Sequence, residues 1–272
     1  MTSTTTTTGF ATSADGTRIA YEVTGSGPAL VLVDGALCHR GFGPARPTAA
    51  ALAKAFTVTA YDRRGRGESG AGESPYSLDR EIEDLAAVVE AAGGRVSLLG
   101  ISSGAALALE AVRRGMPVER LATYEAPFIL DGTHAPRDPR LAERMQRLVD
   151  EGRRGDAVRL FMRTVGAPAF MIAVMRLMPA WKKLVAVAHT LPYDLAIVGP
   201  HGQGRPLPAG YYDAVTVPVL VMAGGKSPEY MRNAQAAIAD ALPDARLEVL
   251  PGQTHMVRPK VVAPRVTEFL AG

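Results

Sequence analysis

The segment VSLLGISSGAALALEAVRR, residues 96–114, limits the fold more than any other part of this chain. Residues 96–99, VSLL, are apolar apart from Ser97 and read as a buried strand. Residues 103–114 are rich in Ala and Leu and read as a helix. Only Gly100, Ile101 and Ser102 remain to turn one into the other. Gly100 and Gly104 carry no Cβ, so the turn can be tight and Ser102 is left projecting from the top of the sheet. A strand that feeds directly into a helix belongs to a mostly parallel sheet covered by helices.

The same alternation recurs on both sides of this segment. Strands are expected at residues 29–33, 57–61, 121–124, 217–222 and 246–250. Helices are expected at 77–92, at 230–242 and near the end, up to Leu270. Ser77 can cap the first of these, with Asp79 and Glu81 favoured by the helix dipole. Asp15-Gly16 marks a hairpin between 10–12 and 17–23. The alternation stops after Pro127. From 128 to 208 the pattern is of helices broken by prolines, at 141–151, 156–165, 170–177 and 181–190. The expected fold is therefore α/β, a mostly parallel twisted sheet with helices on both faces. It comprises a core of residues 1–127 and 209–272 and an all-helical insertion at 128–208. A length of 272 residues fits one such domain.

Several functional classes find no support in the sequence. The net charge is +3 and no basic run is interleaved with aromatics, so no nucleic-acid partner is expected. No apolar run is long enough to span a membrane, and MTSTTTTTGF lacks the pattern of a secretory leader, so a cytoplasmic protein is expected. The threonines at 4–8 read as a frayed tail. Cys38 stands alone and cannot form an intrachain disulfide. Histidines and carboxylates do not fall at metal-ligand spacing, and no cofactor motif is present, so neither a metal nor a cofactor is expected.

Ser102, in a Gly-x-Ser-x-Gly turn opening a helix, is a candidate nucleophile. A serine hydroxyl needs a base at neutral pH. Of His39, His134, His189, His201 and His255, only His255 follows the last strand, where the sheet's carboxyl end returns to Ser102.

These pieces, in order, are ADGTRIAYEVTGSGPALVLVDG, YDRRGRGESG, GISSGAALALEA, VPVLVMAGG and LPGQTHM. The chain resembles the α/β-hydrolase family over nearly its whole length. The resemblance implies that the insertion is a cap over the active site. It also implies an oxyanion hole made by the backbone N–H of Ser103 and that of Ala36 (or Leu37) in the loop after the third strand. Asp34 stands where the family usually has His, and is read as a partner for nearby backbone N–H groups. Arg63, Arg64 and Arg66 are read as a structural turn.

The third member of a Ser–His–acid triad is missing from its usual place, where Ser227 stands. Glu125 is the favoured substitute. It ends the strand 23 residues after Ser102, as the acid does in haloalkane dehalogenases and some other relatives. Glu229 is second, and the third possibility is that no acid contacts His255.

Substrate contacts are expected from Leu37, Trp181, Met175 and Phe128, because the insertion is rich in Met and aromatic residues. The leading expectation is hydrolysis of an apolar ester, thioester or lactone; the Ala-rich, Arg-over-Lys composition is associated with bacterial natural-product chemistry. One alternative is a cofactor-independent oxygenase, lyase or cyclase using His255 as base on an aromatic, polyketide-like substrate. The other is a non-catalytic small-molecule receptor. The expected partner is a small apolar or aromatic molecule, and the protein itself a monomer or homodimer.

Overall fold

The computed structural model describes residues 6–73 and 75–272. Eight strands are present: β1 (Thr6–Thr12), β2 (Arg18–Gly25), β3 (Ala29–Val33), β4 (Thr57–Tyr61), β5 (Ser97–Ile101), β6 (Leu121–Tyr124), β7 (Val219–Gly224) and β8 (Ala245–Leu250). They form one sheet in the order β1-β2-β4-β3-β5-β6-β7-β8. β1 and β2 run antiparallel to their neighbours, and every pair from β4 to β8 is parallel. The apolar runs occupy the middle of the sheet, where β5 and β6 are buried along their whole length.

Helices of the first half are α1 (Ala45–Leu52), α2 (Leu78–Ala91) and α3 (Ser103–Arg113); α9 (Glu229–Ala241) and α10 (Pro259–Ala271) close the chain. Ser77 caps α2 by accepting from the Arg80 N–H at 3.3 Å. One core layer holds α2, α3 and α9 against the sheet, and the other holds α1 and α10 against its opposite face. Helices thus cover both faces, as the alternation requires.

The threonine tract departs from its expected state. Thr6, Thr7 and Thr8 pair with Thr24, Val23 and Glu22 as part of β1. β-Branched threonine suits an edge strand, and the hairpin at Asp15-Gly16 extends the pairing to them. Residues 4 and 5 lie outside the described residues.

Between β6 and β7 the chain is helical: α4 (Leu141–Asp150), α5 (Arg154–Thr164), α6 (Ala169–Met175), α7 (Pro179–Val187), a 3₁₀ turn and α8 (Leu191–Val198). α8 was not expected, since Pro192 sits in its first turn, where proline is tolerated. α4, α5, α7 and α8 share a small apolar core that Leu37 joins from below. Ile197 and Val198 of α8 instead belong to the main core, so the insertion is fused to the sheet at that end. α6 is different: only Ile172 is buried, while Phe170, Met171 and Val174 face outward. Among the described residues, no helix is long and apolar enough to cross a membrane.

Candidate active site

The turn from β5 to α3 depends on its glycines through close approach. A Cβ at Gly100 would lie 2.6 Å from Ala105 Cα, and one at Gly104 would collide with the Val33 carbonyl oxygen. Ser102 itself is held at φ 57° and ψ −125°. Among the described residues, the only non-glycine residues with positive φ are Leu37, Ser102 and Glu125. All three lie in or beside the expected site. Such conformations persist only where surrounding structure imposes them. Here the Ser102 N–H donates to Tyr124 O at 2.8 Å, and the Glu125 N–H to Met222 O at 3.1 Å.

Ser102, His255 and Glu125 meet. His255 Nε2 is 3.0 Å from Ser102 Oγ, and His255 Nδ1 is 2.8 Å from Glu125 Oε2. The other carboxylate oxygen accepts the Gly224 N–H at 2.7 Å. Glu125 is wholly buried, while His255 is partly open to the cavity. The His255 loop is fixed by the Tyr124 hydroxyl, which donates to Thr254 O at 2.5 Å, and by the Lys226 N–H, which donates to Gln253 O at 2.8 Å. Of the two candidate carboxylates, the structure brings Glu125 to the imidazole. Glu229 begins α9 on the surface and makes no hydrogen bond to His255. Ser227 is buried, and its hydroxyl finds no partner among the described residues.

Ala36 and Ser103 border the same cavity as Ser102 and His255. Ser103 is the first residue of α3, so its N–H has no intrahelical acceptor. The loop carrying Ala36 is set by buried arginines: Arg66 donates to Gly35 O at 2.6 Å and Arg63 to Asp34 O at 3.3 Å. A trans peptide points its C=O and N–H in opposite directions, so holding Gly35 O on Arg66 aims the Ala36 N–H away from that arginine. A Cβ on Gly35 would lie 2.9 Å from Ser102 Cβ, so only glycine lets this loop approach the serine.

The arginines lie in a buried charge network. Arg63 bonds both oxygens of Glu81 at 2.5 and 2.8 Å, and Arg64 both oxygens of Asp84 at 2.6 and 2.7 Å. Asp194 of α8 bridges Arg63 at 2.9 Å and Arg66 at 2.8 Å, and accepts the Ser103 hydroxyl at 2.7 Å. Burial alone would raise the Asp194 carboxyl, but Arg66 and Arg63 overcome that and hold it below the usual carboxylate range. Sequence reading missed Asp194. The available signal was a lone acid in the apolar stretch LPYDLAIV, in a chain whose three clustered arginines needed counter-charges.

Asp34 faces its own loop. Its Oδ1 accepts the Gly35 N–H at 2.8 Å. Burial is the main cause that pushes its carboxyl up to about 6. A folded pKa above the unfolded value means that the folded chain binds the proton more tightly. The associated stability is full below about pH 4 and is lost as pH rises through about 6, a loss of about 3 kcal/mol. Denaturant midpoints at pH 4.5 and 7.5 are expected to show Asp34→Asn gaining on the wild type at the higher pH. Parallel pH profiles for the two proteins would refute this.

The cavity above Ser102 has a volume of about 480 Å³. Ile129, Leu160, Phe161, Val165, Leu195 and Met231 give it an apolar wall. None of the four expected substrate contacts is on it. Leu37 is buried in the core of the insertion, Met175 and Trp181 pack against that core, and Phe128 lies in the main core against His201. Large apolar side chains are drawn first to the core, so their number does not tell which of them a ligand meets. A more open groove of about 900 Å³, bordered by Tyr76, Gln146 and His189, reaches neither Ser102 nor His255.

An eight-stranded, mostly parallel sheet with a strained serine at a strand–helix turn, hydrogen-bonded through histidine to a buried acid, is the architecture of the α/β hydrolases. The sequence matches the Alpha/beta hydrolase family over residues 30–265, and the chain belongs to that family. It is similar to an alpha/beta hydrolase from Sphaerobacter thermophilus DSM 20745, with 45% identity and a TM-score of 0.88, over 96% of this chain and 100% of that one. The fold is also shared with esterase RhEst1 from Rhodococcus sp. ECU1013, with 23% identity and a TM-score of 0.67, over 97% of this chain and 98% of that one. Carboxylesterase CesB from Bacillus subtilis shares it too, with 17% identity and a TM-score of 0.70, over 98% of this chain and 92% of that one.

Proposed function

We propose that this protein hydrolyses a carboxylic ester, thioester or lactone through an acyl-enzyme formed on Ser102. The observation that carries this reading is the unbroken hydrogen-bonded series Ser102–His255–Glu125. His255 takes the Ser102 proton as Oγ attacks the carbonyl and returns it to the leaving group; water then releases the acid by the same route. Glu125 holds the imidazole and offsets its transient charge. The N–H groups of Ala36 and Ser103 receive the developing oxyanion, each contributing about 3 kcal/mol if the geometry is preorganised. The insertion acts as a cap, and the apolar wall favours an acyl group with hydrocarbon character.

Base-only chemistry on an aromatic substrate drew support from the acid missing at position 227 and from Asp34 standing where His is usual. Glu125 beside His255 removes the first of these and leaves the second. A receptor role would leave the strain at Ser102 without a purpose.

The test is labelling with a serine-directed fluorophosphonate. Rapid labelling of the wild type, abolished in Ser102→Ala, is expected. Absence of labelling on folded wild-type protein would overturn the acyl-enzyme reading.

A further inference from the structure

Arg137 lies on the wall of the Ser102 cavity and has no carboxylate partner among the described residues. A guanidinium has five N–H donors. One Nη1 hydrogen goes to Val198 O at 3.1 Å and one Nη2 hydrogen to Pro127 O at 3.0 Å. Both acceptors are neutral main-chain carbonyls, so neither offsets the charge. Three N–H groups are left without a protein acceptor among the described residues.

The residue is firmly placed. Its N–H donates to Gly202 O at 2.7 Å, and its carbonyl accepts Gln203 Nε2 at 3.3 Å. A Cβ at position 202 would collide with Arg137 Nη1, so glycine there makes room for the guanidinium. The other charges on the wall are compensated. Arg144 pairs with Asp138 at 2.8 Å, and Asp194 is held by Arg63 and Arg66. Tyr230 borders the same cavity with its ring 4.3 Å from that of His134, and its hydroxyl makes no hydrogen bond among the described residues. A largely apolar cavity thus presents one uncompensated cation and a free hydroxyl.

We propose that Arg137, with Tyr230 on the same wall, forms an anion subsite that binds a carboxylate of the substrate while the scissile carbonyl lies at Ser102. This rests on the hydrolase reading above. Burial pushes the Arg137 guanidinium below its ordinary range, and a bound carboxylate would relieve that cost. Arginine meets a carboxylate with charge-assisted, often paired hydrogen bonds. The apolar lining of the cavity that Arg137 and Ser102 share suits a chain of methylenes. The substrate class is then a half-ester or half-thioester of a dicarboxylic acid.

Monomethyl suberate and dimethyl suberate differ only in the second carboxylate and serve as probes. In calorimetric titrations of Ser102→Ala, which binds without turnover, monomethyl suberate is expected to bind at least tenfold more tightly than the diester. Adding Arg137→Met should bring the two affinities together, and Arg137→Lys should keep part of the difference. In wild-type turnover, kcat/KM for the half-ester should exceed that for the diester by tenfold or more, and Arg137→Met should bring this ratio near one. Equal affinities in Ser102→Ala would overturn the subsite, as would a preference that survives Arg137→Met. If the wild type hydrolyses both esters equally, the subsite fails and the hydrolase reading stands. If neither is hydrolysed but the binding preference follows Arg137, the subsite stands and the hydrolase reading is the one in trouble.

Discussion

Glu125→Gln is expected to lower kcat roughly ten-thousandfold while KM and the fold stay close to wild type, the scale seen when a serine protease loses the charge of its orienting acid. Glutamine nearly matches glutamate in shape. Its carbonyl oxygen can keep the Gly224 N–H, now held at 2.7 Å by Oε1. The amide NH₂ then faces His255 Nδ1, where a carboxylate oxygen now stands at 2.8 Å. An NH₂ group can only donate, so Nδ1 must accept and the ring proton moves to Nε2. In that tautomer the imidazole cannot take the Ser102 proton. Hydrolysis of p-nitrophenyl butanoate, with circular dichroism to verify folding, measures the effect. Glu229→Gln serves as the control and should change kcat less than twofold. A loss below tenfold for Glu125→Gln would show that His255 works without its acid and would restore base-only chemistry as a contender.

Asp194→Ala is expected to cost about 3–5 kcal/mol of stability, the scale for removing one partner from a buried ion pair. In a chain of this size that corresponds to a fall in Tm of roughly 10 °C. Asp194 is 2% exposed, and the change would leave Arg63 and Arg66, each 1% exposed, one carboxylate short. The same arginines hold the carbonyls of Asp34 and Gly35. Activity should therefore fall further than stability predicts at temperatures where the variant is folded. Urea titration gives the stability and p-nitrophenyl butanoate turnover the activity. A cost under about 1 kcal/mol would show that the arginines find other counter-charges and that α8 is not fixed through this contact.

Both changes fall on the boundary of what the sequence reveals. Ser102 was legible because a strand, a glycine-flanked serine and a helix in succession admit few geometries. His255 followed from its place after the last strand. Glu125 could be named, but only as one of two carboxylates, because nothing local to residues 121–125 says which way a strand-end side chain turns. The deciding facts are three-dimensional: a positive φ at Glu125 and the Gly224 N–H that receives its carboxylate. Asp194 sits on α8, a helix disguised by Pro192 and by the apolar content around it. The cavity wall was the least legible part. Trp181 and Met175 look like ligand contacts by composition, yet they pack against the insertion's own core. Arg137 and Tyr230, which do border the cavity, carry no periodic signal at all.

Two helices of the insertion are held to different degrees. α8 is fixed by a buried carboxylate between two arginines and by side chains shared with the sheet, whereas α6 commits only Ile172 to any core. On the proposed reaction, the cavity wall at Asp194 and Leu195 of α8 is expected to be stiff, and Val165, where α5 ends and the chain leads to α6, more compliant. In that reading, variation in acyl bulk would be taken up near α6, while the alignment of the scissile bond with Ser102 would be insulated from it. Tolerance toward substrate shape and precision of chemistry would thereby fall to different helices of one short stretch of chain.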